Sequence, residues 1–128
     1  MGKVPSSPAY SSERLNWMWY SPNPILGQDL EGRLNFGNPA ALKFFGYGED
    51  KFTGMPTENL TPNDPLLRQN RIKIIREILE SGVPREFQAT QRVRGDGSEV
   101  IVPKWTGFSY MLNGQSSFGS ILYPNYHL

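Results

Sequence analysis

The chain is 128 residues long, the length of one ordinary domain and too short for two independent hydrophobic cores. It contains no cysteine, so disulfides, thiolate nucleophiles, iron–sulfur ligation and any cysteinyl adduct to a chromophore are excluded. Thirteen Lys and Arg residues against twelve Asp and Glu leave a net charge of +1, which gives no electrostatic reason to expect nucleic acid or an anionic membrane as a partner.

The N-terminal segment 1–12 is rich in Ser and Pro and predicts a flexible arm. Its first six residues fit the loose pattern for N-myristoylation at Gly2, although a Gly-Lys start is also typical of a cloning remnant. No apolar run approaches the roughly 20 residues that cross a bilayer, and no signal peptide is recognisable. We therefore expect a cytoplasmic protein, with an arm and short cap helix at 1–21, a folded domain at 22–124 and a tail at 125–128.

Capping residues predict the short helices. Ser12 is placed to cap a helix at 13–20, which two following prolines end. Asn38 is a good N-cap and Pro39 suits a first helical position, so a second helix is expected up to the glycine at 46. Segments 49–53 and 57–60 predict single helical turns.

The longest helix has the clearest boundaries. Asp64 is its predicted N-cap, Pro65 its first residue and Gly82 the left-handed residue that ends it. Leu67, Ile74 and Ile78 form an apolar stripe, with Ile72, Ile75 and Leu79 beside it at helical spacing. The opposite face, which we interpret as solvated, carries Arg68, Lys73, Arg76, Glu77 and Glu80.

Turn residues between apolar runs predict five strands. The runs 25–28 and 34–37 form a hairpin around the turn 29–32. The last third predicts a meander of strands 85–93, 99–110 and 118–123, joined by Arg-Gly-Asp-Gly and Asn-Gly turns. Two strands, a block of helices and three more strands indicate an α+β fold.

Four sequence segments, in this order and spacing, resemble a PAS domain. The run 29–47 is similar to the opening hairpin and first helix of that family, and Gly-Met-Pro at 54–56 with Thr-Pro-Asn-Asp at 61–64 resembles its approach to the long helix. The segment 86–98 resembles its hairpin with an Asp-Gly turn, and the match covers about residues 22–123. The Ala-Ala-Leu helix and the long final hairpin are similar to the PAS-related MEKHLA subgroup. The resemblance implies a five-stranded antiparallel sheet of order 2-1-5-4-3, with helices packed on one face around a small pocket.

Catalytic and cofactor chemistry is poorly represented. The only histidine, His127, lies one residue from the C-terminus, so we expect no Ser-His-Asp triad, no metal site and no enzyme activity. LOV photosensors of the PAS family use an adduct-forming cysteine and a glutamine on the last strand, where this sequence has no cysteine and Ile121. Haem-binding relatives use a histidine on the long helix, and 65–81 contains none. We predict no haem and no covalent flavin adduct, and leave a non-covalent small ligand open.

Strand parity decides which side chains of the 85–93/99–110 hairpin face the helices, and the sequence leaves it open. Hydrophobicity alone turns Phe87, Ile101 and Trp105 inward if the turn has two residues. The resemblance implies the reverse, with Gln88, Thr90, Arg92, Val100, Val102, Lys104 and Thr106 facing the pocket. Arg92 and Lys104 would then be neighbours that need an anion, unless they reach solvent at the sheet edge. The candidate ligand-binding residues are Asn38, Phe44, Leu60, Ile74, Arg92, Val102, Lys104 and Ile121.

Two functions are consistent with the sequence. The first is a non-catalytic signalling module that pairs with itself, as a homodimer, or with a partner protein. The second is a sensor that binds an acidic or apolar small molecule in the pocket. For the first, the inward parity of Arg92 leaves an apolar outer face that the N-terminal segment or a second copy would cover. The candidate interface residues are Trp17, Trp19, Phe87, Ile101 and Trp105.

Overall fold

The structure is a computed structural model that describes residues 15–126. The N-myristoylation pattern at Gly2, the proposed cap Ser12 and His127 lie outside the described residues. Four α-helices and one 3-10 turn are present in this part of the chain. They are α1 (Asn16–Tyr20), α2 (Pro39–Phe45), α3 (Glu49–Phe52), the 3-10 turn Thr57–Leu60, and α4 (Pro65–Ser81).

The strands form one five-stranded antiparallel sheet and one separate hairpin. They are β1 (Ile25–Gln28), β2 (Leu34–Gly37), β3 (Arg85–Phe87), β4 (Thr90–Val93), β5 (Glu99–Val102), β6 (Lys104–Leu112) and β7 (Gln115–Tyr123). The main sheet has the order β2-β1-β7-β6-β3, whereas β4 and β5 pair with each other. With β7, β6 and β3 as the predicted fifth, fourth and third strands, the expected order 2-1-5-4-3 is confirmed.

The predicted boundaries of α4 are confirmed because local side chains satisfy both ends. The Asp64 carboxylate accepts hydrogen bonds from the backbone N–H groups of Leu66 and Leu67, at 2.9 and 3.3 Å. Pro65 takes the first helical position. Gly82 has a φ of 71°, and its N–H donates to the Ile78 carbonyl at 2.8 Å.

The turn between β6 and β7 accounts for the long final hairpin. Asn113 and Gly114 both have positive φ, at 50° and 79°, as a two-residue type I′ turn requires. Leu112 pairs directly with Gln115, so the ladder starts at the turn. The last strand consequently begins at Gln115 rather than at the predicted residue 118.

Hydrophobic clusters cover both faces of the sheet. On the face called inner here, α4 packs on β6, where Ile78 Cδ1 lies 2.9 Å from the position that a Cβ at Gly107 would take. On the outer face, Met18 and Trp19 of α1 pack in a cluster that includes Phe36 and Phe108. The expectation of helices on one face therefore holds for α2 to α4, and α1 lies on the other.

Strand pairing stops in the middle of the predicted 85–93/99–110 hairpin. A single inward–outward alternation therefore cannot describe both halves of it. Phe87 pairs with Trp105 in the main sheet, and Thr90 pairs with Val102 in the separate hairpin, with a break at Pro103 between them. Proline has no N–H to donate to a ladder. Trp105 and Val102 are both buried although residues three apart in a regular strand face opposite sides. The strand thus changes its inward face at Pro103.

Candidate ligand site

A buried arginine lies on the separate hairpin. Arg92, in β4, is only 2% exposed, and its Nε and Nη1 atoms have no hydrogen-bond partner within the described chain. A buried guanidinium without a partner is costly because it loses its hydration without gaining protein hydrogen bonds. The sequence left the strand parity open, and the buried Arg92 corresponds to the parity that the resemblance implied.

A second arginine lies nearby on the long helix. Arg71, in α4, is half-buried, and its Nη2 donates a hydrogen bond of 2.9 Å to the Oε1 atom of Gln28. Gln28 is the last residue of β1 and is itself buried. The bond joins the helix to the inner face of the sheet through a neutral amide, so Arg71 gains a hydrogen bond but no opposite charge.

The electrostatics of this site are those of two cations in a poorly solvated place. Burial, and after it the positive charge of Arg71, lowers the pKa of Arg92 to about 9, so its guanidinium still carries its charge at neutral pH. Burial also lowers the pKa of Arg71 to about 10, and the Glu58 carboxylate partly offsets this effect. Glu58 is exposed and forms an ion pair with Arg68 at 3.1 Å. The Glu58 carboxylate therefore interacts with the exposed Arg68 as well as with Arg71.

Several of the predicted ligand residues lie in or against the inner cluster. Leu60 and Val102 are fully buried members of it, and Ile74 packs against it from α4. Val102 is on β5, which pairs with the strand that carries Arg92. These apolar residues and the two arginines belong to the same interior, between α4, the 3-10 turn and the separate hairpin.

Asn38 is buried, and its side chain is fully engaged with backbone. Its Oδ1 accepts from the N–H groups of Ile25, at 3.0 Å, and Ala41, at 2.8 Å. Its Nδ2 donates to the carbonyls of Met18, at 2.8 Å, and Asn23, at 2.9 Å. In this structure Asn38 acts as the predicted helix cap and also ties the end of α1 to β1, which leaves its amide no free hydrogen-bonding capacity for a ligand.

Three other predicted ligand residues lie away from the arginines. Lys104 forms an ion pair with Glu86 at 3.3 Å at the sheet edge. Ile121 packs against the outer cluster, because the inward residues of β7 are its neighbours on either side. Phe44 lines an open surface cavity of about 590 Å³, where the Arg94 guanidinium lies 5.0 Å from its ring centroid. The expected pairing of Arg92 with Lys104 is therefore not formed, since Lys104 follows the break at Pro103.

The predicted interface residues do not form one face. Phe87 and Trp105 stack inside the inner cluster with ring centroids 4.5 Å apart, whereas Ile101 is 62% exposed on β5. Trp19 is buried beneath α1, and Trp17 on the same helix is 53% exposed. The change of face at Pro103 is the physical reason, because it places Trp105 inside and leaves Ile101 outside.

Arg71 was not among the predicted site residues, although a signal for it exists in the sequence. It lies four residues after Leu67 and three before Ile74, and therefore within the apolar stripe of the long helix. A charged residue inside an apolar stripe is a stronger indication of a buried polar site than one on the solvated face. Gln28 gave no comparable signal, because a polar residue at the end of a short strand is common.

Among residues 15–126, no group of three or more His, Asp or Glu side chains is arranged to hold a metal ion. Within the same range no helix is both long and apolar enough to span a bilayer.

The sheet order and the position of α4 are those of a PAS domain, and solved PAS structures are similar over most of the chain. The PAS domain of an HTR-like protein from Haloarcula marismortui has a TM-score of 0.63 and 24% identity, covering 88% of this chain and 89% of its own. The PAS domain of nitrogen regulation protein NR(II) from Vibrio parahaemolyticus has a TM-score of 0.67 and 16% identity, covering 88% and 97%. A LOV domain from a blue-light activated histidine kinase of Erythrobacter litoralis has a TM-score of 0.62 and 18% identity, covering 80% and 94%.

Within this fold class the chain belongs to the MEKHLA domain family, whose model matches residues 4–116. The resemblance to PAS domains and to the MEKHLA subgroup is thereby confirmed. No curated protein matches the sequence at a significant level.

Proposed function

We propose that this domain is a non-catalytic sensor that binds a small molecule in its interior and signals through another protein. The observation that carries the proposal is the buried guanidinium of Arg92, which has two nitrogen atoms without a partner in the described chain. A residue with only a packing role would be an aliphatic side chain at lower cost, because replacing buried charges by apolar groups of similar volume is often neutral or stabilising. We infer that this unpartnered arginine is retained because it binds a ligand, although it lowers the stability of the free protein.

The position of Arg92 also suits a sensor. β4 and β5 are not hydrogen-bonded to the strands of the main sheet, and α4 packs on that sheet through Ile78. A ligand that contacts both Arg92 and α4 would favour one arrangement of hairpin and helix over others. Such a shift is the kind of output that a domain without catalytic groups can deliver.

The proposal is tested by substituting Arg92→Met and comparing it with Arg76→Met, which changes an exposed arginine of α4. We expect R92M to raise the thermal unfolding midpoint of the free protein by about 3 °C or more and R76M to leave it nearly unchanged. We also expect at least one member of a chemically broad compound set to stabilise the wild type in a saturable manner and not R92M. A fall in the midpoint of R92M, together with no stabilising compound of any charge, would show that Arg92 serves the fold.

A second candidate function is pairing with a second copy of the chain through the α1 end of the sheet. The observation that favours it is an open cavity of about 570 Å³, lined by Trp17, Leu79, Phe108 and Met111 among others. Met111 is 56% exposed, and the ring of Trp17 lies 5.8 Å from that of Phe108, centroid to centroid. Exposed aromatic and methionine side chains beside an open cavity are typical of protein interfaces.

Pairing is tested by measuring molar mass with light scattering for Trp17→Glu, Met111→Glu and the matched control Ile101→Glu. Ile101 is an exposed aliphatic residue on β5, so the same charge is introduced without touching the cavity. We expect a wild-type homodimer that W17E and M111E dissociate and I101E does not. A monomeric wild type, or dissociation by I101E alone, would reject pairing at this surface.

A further inference from the structure

We propose that the interior site takes a small oxyanion, a carboxylate or phosphate group, held between the guanidinium groups of Arg92 and Arg71 beside Gln28. This inference rests on the proposed sensor function and names the chemical class of its ligand. The second cation beside Arg92 is then Arg71 and not the expected Lys104, which pairs with Glu86.

The positive charges of the site are not balanced by an ion pair. No ion pair to either arginine forms within residues 15–126, and the hydrogen bond of Arg71 goes to a neutral amide. Arg92 is buried with two unpartnered nitrogen atoms and Arg71 is bonded to a neutral amide, so two guanidinium groups in the same interior need an anion to become stable in a poorly solvated place. A cation would be repelled, and an apolar ligand would leave the donors of Arg92 unsatisfied.

The hydrogen-bond donors of the site are guanidinium N–H groups. A guanidinium presents up to five N–H groups in a planar fork, a geometry that matches the oxygens of carboxylate and phosphate. Arg92 has two nitrogen atoms without partners, and Arg71 has its Nη2 committed to Gln28 alone. A ligand oxygen can replace Gln28 Oε1 as the acceptor for Arg71 without separating an ion pair. The free-energy cost of this exchange is therefore small.

The two arginines differ in their exposure to solvent. Arg71 is half-buried, whereas Arg92 is buried, so an entering ligand reaches Arg71 first. Arg71 lies on α4 and Arg92 on β4, so an anion between them joins the helix to the separate hairpin. The ligand would therefore act as the missing charge partner between two elements whose apolar residues, such as Ile74 and Val102, lie in or against the same inner cluster.

The ligand class is tested by calorimetric titration and thermal unfolding of the full chain with succinate, inorganic phosphate and succinamide, at constant ionic strength. Succinamide is the neutral counterpart of succinate and has nearly the same shape. We expect saturable binding of succinate or phosphate, with whichever binds more tightly identifying the source of the oxyanion, and no binding of succinamide. We expect Arg71→Met and Arg92→Met to weaken anion binding about 10- to 100-fold, while Arg76→Met leaves it unchanged.

A Gln28→Glu substitution keeps the test informative if either arginine variant folds poorly. It places a carboxylate at the position that accepts the Arg71 hydrogen bond, so we expect a higher unfolding midpoint and weaker anion binding than in the wild type. Anion binding that R71M, R92M and Q28E leave unchanged would overturn the inference. Binding of succinamide or another neutral compound in an Arg92-dependent manner would overturn the oxyanion and leave the sensor function standing, whereas a set in which no compound binds would reject both.

Discussion

The side-chain amide of Asn38 donates a hydrogen bond of 2.8 Å to the backbone carbonyl of Met18 in α1. Its oxygen accepts from the N–H of Ile25, so this side chain links α1 to β1. The carboxamide oxygen of the same residue caps α2, since it accepts from the N–H of Ala41. One buried side chain therefore bonds both to α1, through Met18 at a separation of 20 residues, and to the first turn of α2. Its loss would leave backbone donors and acceptors unpaired at both.

We predict that Asn38→Ala lowers the free energy of unfolding by about 2–4 kcal/mol, the sum of a lost helix cap and unsatisfied buried groups. The measurement is urea unfolding, with hydrogen exchange at the backbone amides of α1 as a local reporter. Asn59→Ala changes an exposed asparagine and should have little effect. Equal stability of the two variants would contradict the role assigned to Asn38.

Two tryptophans of α1 differ in burial and can therefore test how this helix packs on the outer face of the sheet. Trp19 is 2% exposed in the outer cluster, whereas Trp17 is half exposed. We predict that Trp19→Ala costs about 3–5 kcal/mol of unfolding free energy and that Trp17→Ala costs less than about 1 kcal/mol. Denaturant unfolding of both variants checks this. If W17A and W19A are equally stable, α1 does not pack on the sheet in solution as it does in this structure.

Glycine at 119 is required by the approach of an aromatic ring. A Cβ there would clash with the Cζ atom of Phe108, which packs across the outer face. We predict that Gly119→Ala destabilises the domain by about 1–3 kcal/mol through overpacking. The double variant with Phe108→Leu should recover part of this loss, because the leucine lacks the ring that clashes. Additive effects in this double-mutant cycle would show that the two residues do not interact.

The tip of the β4–β5 hairpin should have an acid-dependent stability. Hydrogen bonds from the side chain and backbone of Ser98 lower the pKa of Asp96 below its ordinary value of 3.8. Because the folded pKa is the lower one, the carboxylate stabilises the hairpin above pH 3.8, and this contribution is lost as pH falls through the folded pKa. Wild type and Asp96→Asn should therefore differ in urea midpoint near neutral pH and converge in acid. A constant difference across that range would reject the role of the charge.

The absence of two residue types leads to a spectroscopic prediction. The sequence has no cysteine for a flavin adduct, and α4 contains no histidine for haem. We predict that the purified protein is colourless, with no flavin or haem band in its visible spectrum. A stoichiometric chromophore in the native protein would contradict this, and mass spectrometry of the denatured protein would then identify it.

The sequence predicted the elements well and the interior less well, for different physical reasons. The boundaries of α4 depend on Asp64, Pro65 and Gly82, whose effects are local and readable from neighbouring residues. The inward face of the hairpin depends on where ladder pairing breaks, and Pro103 marks a possible break without stating which side chains then turn inward. The resemblance implied that Arg92 and Lys104 both face the pocket, by alternation across that break; Arg92 is buried, whereas Lys104 forms an ion pair with Glu86.

The second arginine of the site could not be found from strand patterns at all. Arg71 lies on another element, and its approach to Gln28 depends on how α4 crosses the sheet. The position of Arg71 within the apolar stripe was the available signal, but a stripe identifies a buried side of a helix and not the residues that meet it. Tertiary packing supplied the missing information.

The interruption at Pro103 gives the hairpin a freedom that the rest of the sheet lacks. Besides the chain connections at its ends, the hairpin has a backbone link at its tip, the hydrogen bond of 2.7 Å from the N–H of Gly95 to the carbonyl of Phe45. Amide hydrogens of β4 and β5 should therefore exchange with solvent through a local opening that leaves the five-stranded ladder intact. The hairpin that carries Arg92 would then change its conformation without any strand leaving the five-stranded sheet, so a rearrangement around this arginine need not involve unfolding of the domain.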